Sequence, residues 1–269
     1  MVRPVTGIVR VTGSGATLAV QVRGEGPALL IVHGFPFDHA MWSHQLSALD
    51  GSRCIALDLR GAGDSDVPSG DYSMGRYAED LRAVCDALDV ASAVCCGFSM
   101  GGYVLFEFLR RHRSRVRGLV LCDTRPEADT VEGKQARDEN AALVERDGVA
   151  ALADRVVPKL LGATTRAGRP ELVEQVRGMA VRQPAAGVIG ALRAMRDRPD
   201  STGLLGGITV PTLVVHGAED EVVPPPIARA MAARIPGAHY VEVAGAGHLA
   251  PLEQPERVTR ALQQFLGGW

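Results

Sequence analysis

Apolar residues along the 269-residue chain fall into two alternating rhythms. Runs that are apolar nearly throughout, at 28–32, 53–57, 93–97 and 116–122, are separated by stretches whose apolar positions recur every three or four residues. Continuous apolar runs predict strands covered on both faces, as in a parallel sheet, and the helical recurrence predicts the elements that cover them. Thus 77–88 sets Leu81, Val84, Cys85 and Leu88 on one helical face, and 99–111 does the same with Val104, Phe108 and Leu109. Ahead of these, 6–11 and 17–23 flank a turn holding Gly13 and Gly15, which predicts an antiparallel hairpin at the sheet edge. Strand patterns return at 211–217 and 239–243, with helical ones at 227–235 and 256–266. The class is α/β: a mostly parallel sheet of eight strands with helices on both faces.

Between 125 and 204 the rhythm is helical only. Val149, Leu152, Val156 and Leu160 form one stripe, with Pro158 expected to restart a helix rather than lie within it. Leu172, Val173, Val176 and Met179 form a second behind Pro170, and Val188, Leu192 and Met195 a third. A segment of about 80 residues is too long for a bare connection. The chain therefore divides into a sheet domain, 1–124 with 205–269, and a helical insertion, 125–204, after the sixth strand.

Composition narrows the function. With 46% hydrophobic and 22% charged residues the chain has material for a sizeable core. A net charge of -2 without blocks of like charge gives no nucleic-acid footprint. No run approaches the roughly 20 apolar residues of a membrane span. Residues 1–11 lack a leader pattern. The five cysteines, an odd number with Cys95 and Cys96 adjacent, do not form a disulfide framework, so a reducing cytoplasm is the expected setting. No motif asks for a metal, nucleotide or flavin.

The chemistry concentrates at Gly97-Phe98-Ser99-Met100-Gly101, where a buried strand gives way to a helix. A serine projecting above a sheet needs a very tight, strained turn, and glycine on either side leaves room for it. The loop His33-Gly34-Phe35-Pro36 follows the strand at 28–32. The N–H of Phe35, beside that of Met100, is placed to receive a developing oxyanion. Among seven histidines, His248 in Gly245-Ala246-Gly247-His248-Leu249-Ala250-Pro251 is the candidate base, since its small neighbours permit close approach. His33 is expected to hold its loop and His216 to be a core residue. Asp220, in the turn Gly217-Ala218-Glu219-Asp220-Glu221, is the candidate acid. If it points inward, Glu219 and Glu221 point away. Asp123, ending the strand at 116–122, is its rival.

These elements, with Asp58-Leu59-Arg60-Gly61-Ala62-Gly63-Asp64-Ser65, resemble the α/β-hydrolase superfamily over nearly the whole chain. The likeness is to compact bacterial carboxylesterases, enol-lactonases, ring-cleavage C–C hydrolases and cofactor-free perhydrolases or haloperoxidases. It implies the α/β-hydrolase fold, a helical cap made by 125–204, and the order nucleophile, acid, histidine for Ser99, Asp220 and His248. It also implies hydrolysis of a small-molecule carboxylic ester or lactone through an acyl-enzyme, without a cofactor. Ser99 separates the chain from relatives with aspartate at the elbow. In this frame Asp64 braces a turn, Phe37 and Trp42 contact the acyl group, Phe35 also binds substrate, and Arg125 stands at the cap entrance as a substrate-binding residue. Cleavage of a C–C bond in a ring-fission dienoate, with Arg125 holding its carboxylate, is an alternative. A non-catalytic small-molecule receptor is another.

Overall fold

A computed structural model describes residues 7–13, 15–70 and 72–268 of the chain. The predicted hairpin consists of β1 (Gly7–Gly13) and β2 (Ala16–Arg23), paired antiparallel from Gly7–Val22 to Gly13–Ala16. Thr6 and Ser14 of that prediction, like residues 1–5 of the leader region, lie outside the described residues. The remaining strands are β3 (Ala28–Val32), β4 (Arg53–Leu57), β5 (Ala93–Phe98), β6 (Val116–Cys122), β7 (Thr212–Gly217) and β8 (His239–Val243). Together they make one eight-stranded sheet in the order β1-β2-β4-β3-β5-β6-β7-β8. From β4 to β8 every pairing is parallel, while β2 joins β4 antiparallel.

The strand order decides where a site forms. From β3 the chain moves outward to β4, then returns to β5 on the other side of β3. Connections leaving β3 and β5 therefore part in opposite directions, and a crevice opens above their carboxyl ends. The loops carrying His33–Pro36 and Ser99 begin there.

Side chains along each strand point alternately to two cores, because successive Cβ atoms lie on opposite faces. Leu30, Val32, Cys95, Leu119 and Leu121 join one core with α2 (Met74–Ala87) and α3 (Met100–Arg111). Leu29, Ile31, Cys96, Val120 and Val215 join the other. That second core is closed by α1 (Ser43–Ala48) and by α10 (Pro255–Leu266), with Leu46, Val258 and Leu262 facing in. The five cysteines are buried and unbridged, and among the described residues no helix is long and apolar enough to cross a membrane.

Between β6 and β7 lie α4 (Val131–Leu160), α5 (Ala163–Gly168), α6 (Pro170–Val181) and α7 (Ala185–Arg196). Pro158 departs from expectation. It sits inside the last turn of α4, where the helix ends two residues later and little ladder is left to disrupt. The break falls instead at Gly148, whose φ of 83° and ψ of 174° bend α4 into two segments. After β7 come α8 (Pro225–Ala233) and, beyond β8, the short α9 (Ala250–Glu253).

Candidate functional site

Ser99 occupies the turn between β5 and α3 with φ 49° and ψ -112°, a conformation L residues rarely adopt. Its neighbours leave no latitude. A Cβ on Gly97 would stand 2.6 Å from the Gly101 carbonyl oxygen, and one on Gly101 2.5 Å from that of Val32. The strained residue is held at both ends. The Ser99 N–H donates to Cys122 O (2.9 Å), and the Ser99 carbonyl accepts from Thr124 Oγ1 (2.8 Å) and from the Gly102 N–H (2.9 Å).

The three sequence candidates meet here. The Ser99 hydroxyl lies 2.9 Å from His248 Nε2, and His248 Nδ1 lies 2.8 Å from Asp220 Oδ2. His248 and Asp220 are buried, and the imidazole packs against Phe98 with ring centroids 5.2 Å apart. The other oxygen of Asp220 accepts from the N–H groups of Val222 (2.8 Å) and Val223 (2.9 Å), which fixes the carboxylate plane. Burial works to raise the Asp220 pKa, but its interactions with His248 and the Val223 N–H prevail and hold it below the usual carboxylate value. Glu219 and Glu221 turn away, as expected. Glu219 accepts from the Thr164 N–H at 2.8 Å, and Glu221 pairs with Arg166 at 3.1 Å.

Asp123, the rival acid, directly follows β6 with φ 46° and accepts from the Gly217 N–H at 2.8 Å. Among the described residues no hydrogen bond or ion pair joins it to His248. Burial and the neighbouring Asp220 charge push its carboxyl pKa well above the ordinary range. His216 lies between the two acids, its Nε2 donating to Val223 O at 2.8 Å while Nδ1 is buried without a partner. Asp123, His216 and Asp220, like Asp38, His39 and Asp58, are close enough to suggest a metal cluster. However, Asp220 and Asp58 already have both oxygens engaged by protein donors.

His33 is occupied at both nitrogens, by Gly34 O (2.9 Å) and by the Leu59 N–H (2.9 Å), which anchors the loop after β3. The N–H groups of Phe35 and Met100 donate to no acceptor among the described residues. Met100 opens α3, so no earlier helical carbonyl reaches it. The turn at 58–65 is braced by Asp58 rather than Asp64. Asp58 accepts from the N–H groups of His39 (2.7 Å) and Asp64 (2.9 Å), whereas the Asp64 side chain faces solvent.

A cavity of about 250 Å³ opens onto Ser99 and His248. Phe35, Tyr103, Val156, Leu160 and Met195 line it, while Val176 and Leu192 pack in the cores. Two expectations need correction. Trp42 does not line this cavity; it is fully buried with Phe37, Met41 and Leu46, because the turn leading into α1 carries it to the opposite core. Arg125 is not a lining residue either, being drawn to Asp129 at 3.4 Å. Sequence reasoning missed Glu253. This buried carboxylate accepts from the N–H groups of Gly247 (2.9 Å) and Leu249 (3.1 Å) on both sides of His248, and from Gly162 (2.8 Å) just past α4. Its only signal is a carboxylate five residues beyond His248, a weak one.

Residues 27–255 match the family model described as alpha/beta hydrolase fold. A thermophilic esterase from Thermogutta terrifontis, solved with malate bound, is 41% identical over 98% of this chain and 99% of its own, with a TM-score of 0.94. The enol-lactonase from Burkholderia xenovorans LB400 is 29% identical over 96% of this chain and 100% of its own, with a TM-score of 0.89. 3-oxoadipate enol-lactonase 1 of Acinetobacter baylyi is 29% identical over 255 residues, covering 94% of each chain. These relatives support hydrolase activity. From the match over most of its length and the shared sheet, the chain belongs to the α/β-hydrolase fold family.

Proposed function

We propose that the chain hydrolyses carboxylic esters or lactones through an acyl-enzyme on Ser99. The observation that carries this reading is the relay from the Ser99 hydroxyl through His248 to Asp220, at 2.9 and 2.8 Å. The Ser99 oxygen attacks the carbonyl carbon as its proton passes to His248 Nε2, and Asp220 stabilises the imidazolium through Nδ1–H. The carbonyl oxygen, now anionic, accepts from the N–H groups of Phe35 and Met100, each such donor contributing about 3–4 kcal/mol in the transition state. Collapse expels the alkoxide, which takes the proton from His248. In a lactone this alcohol stays tethered to the acyl group. Water, deprotonated by His248, then attacks the acyl-enzyme and releases the acid and free Ser99. Helices α4 to α7 form the cap, and the lining of Val156, Leu160 and Met195 suits an apolar part of the substrate.

The test is chemical. A fluorophosphonate should label the protein once, at Ser99, and p-nitrophenyl butyrate should give an initial burst. Ser99→Ala should stay folded and lose about 10⁶ in kcat. Labelling at another residue, or substantial turnover by the alanine variant, would remove Ser99 from the mechanism. A receptor would bind ligand without the burst.

A further inference from the structure

The cavity above Ser99 carries charge of one sign. Arg137, Arg155 and Lys159 line it, and no carboxylate does. All three belong to α4, and the bend at Gly148 brings its two segments, one with Arg137 and the other with Arg155 and Lys159, to the same space. Neighbouring acids do not balance them. Asp129, 3.1 Å from Arg137, is shared with Arg125 (3.4 Å) and Arg198 (2.8 Å). Arg155 meets Glu139 at 3.5 Å, where both side chains are about half exposed. The Lys159 ammonium has no hydrogen-bond or ion-pair partner among the described residues. Asn140 lines the same cavity, and its Oδ1 is buried without a partner among the described residues. Cations around an opening with apolar walls concentrate anions there.

We propose that Arg137, Arg155 and Lys159 hold a free carboxylate on the substrate, so that the preferred ester or lactone is an anion. This rests on the hydrolase reading of the same site. The carboxylate belongs either to the acyl part or to the leaving part, and the two are separable by experiment. For the acyl arm, p-nitrophenyl hydrogen adipate is compared with p-nitrophenyl methyl adipate. For the leaving-group arm, 4-acetoxybenzoate is compared with its methyl ester. In at least one pair the anion should be favoured by about tenfold in kcat/KM, and the preference should shrink as salt rises. Lys159→Gln and Arg155→Gln should each lower that ratio by about threefold to tenfold. Ratios at or below unity in both pairs, unmoved by either substitution, would overturn the proposal. If wild-type protein turns over none of the four, the hydrolase reading fails. Calorimetric titration of Ser99→Ala protein with monomethyl and dimethyl adipate then decides the charge question separately. Tighter binding of the monoanion supports the carboxylate site, and equal or weaker binding overturns it.

Discussion

Two buried aspartates stand near the histidine, and their surroundings push their carboxyls in opposite directions. His248 and the backbone N–H groups hold the Asp220 pKa below the usual carboxylate value, while burial and the Asp220 charge push that of Asp123 well above it. Asp220→Asn should therefore lower kcat by about 10⁴, because the amide no longer fixes the imidazole tautomer. Asp123 makes no hydrogen bond to His248, and an asparagine there still accepts from Gly217, so Asp123→Asn should leave kcat within about threefold. Steady-state rates with p-nitrophenyl butyrate check both; the reverse ranking would make Asp123 the acid. Sequence alone placed both residues at strand ends and could not separate them by environment. Ser99, Asp220 and His248 could be picked out as candidates because each lies in a glycine-bearing turn that follows a strand. Trp42 was misjudged because nearness along the chain to Phe35 does not say which face of the sheet a side chain joins.

At the scale of elements, the eight strands were readable since their apolar runs are short and bounded by turn residues. Their order was not, because a run of apolar residues says that both faces are covered and nothing about which strand lies beside it. The bend in α4 was hidden for another reason. Glu145-Arg146-Asp147-Gly148 reads equally as solvated helix or as its end, whereas Pro158 looked like a breaker and falls where only one turn remains. At Gly148 the backbone conformation is one that only glycine adopts without strain, so Gly148→Ala should destabilise the protein by about 1–3 kcal/mol. Urea unfolding measures this; no change in midpoint would mean that α4 runs straight through in solution.

Across the whole molecule, helices α4 to α7 are tied to the loops above the sheet on both sides of the crevice. On one side Arg182 forms a two-point pair with Asp38 at 2.9 and 2.7 Å, and Gln183 accepts from the Gly63 N–H at 2.9 Å. On the other, the Leu249 N–H donates to Leu160 O at 3.2 Å, and Glu253 joins Gly162 to the residues flanking His248. Glu253→Gln keeps one acceptor oxygen where three backbone donors now share two. It should lower stability by about 1–3 kcal/mol and depress kcat more than it raises KM. Denaturant titration beside steady-state kinetics checks the pair of effects, and an unchanged kcat would reduce Glu253 to a structural support. Such a link is invisible in sequence, since it depends on three separate stretches converging on one side chain.

The shared anchorage of Leu160 and Leu249 has a consequence for timing. The far end of the longest helix and the loop bearing the imidazole are joined by the Leu249–Leu160 hydrogen bond and, through Glu253, by Gly162, so an outward swing of that helix would either break these bonds or carry the imidazole with it. Entry and reactivity should then alternate. The serine would be idle during exchange of reactant and product, and would be armed again only when the roof has settled back over the guest.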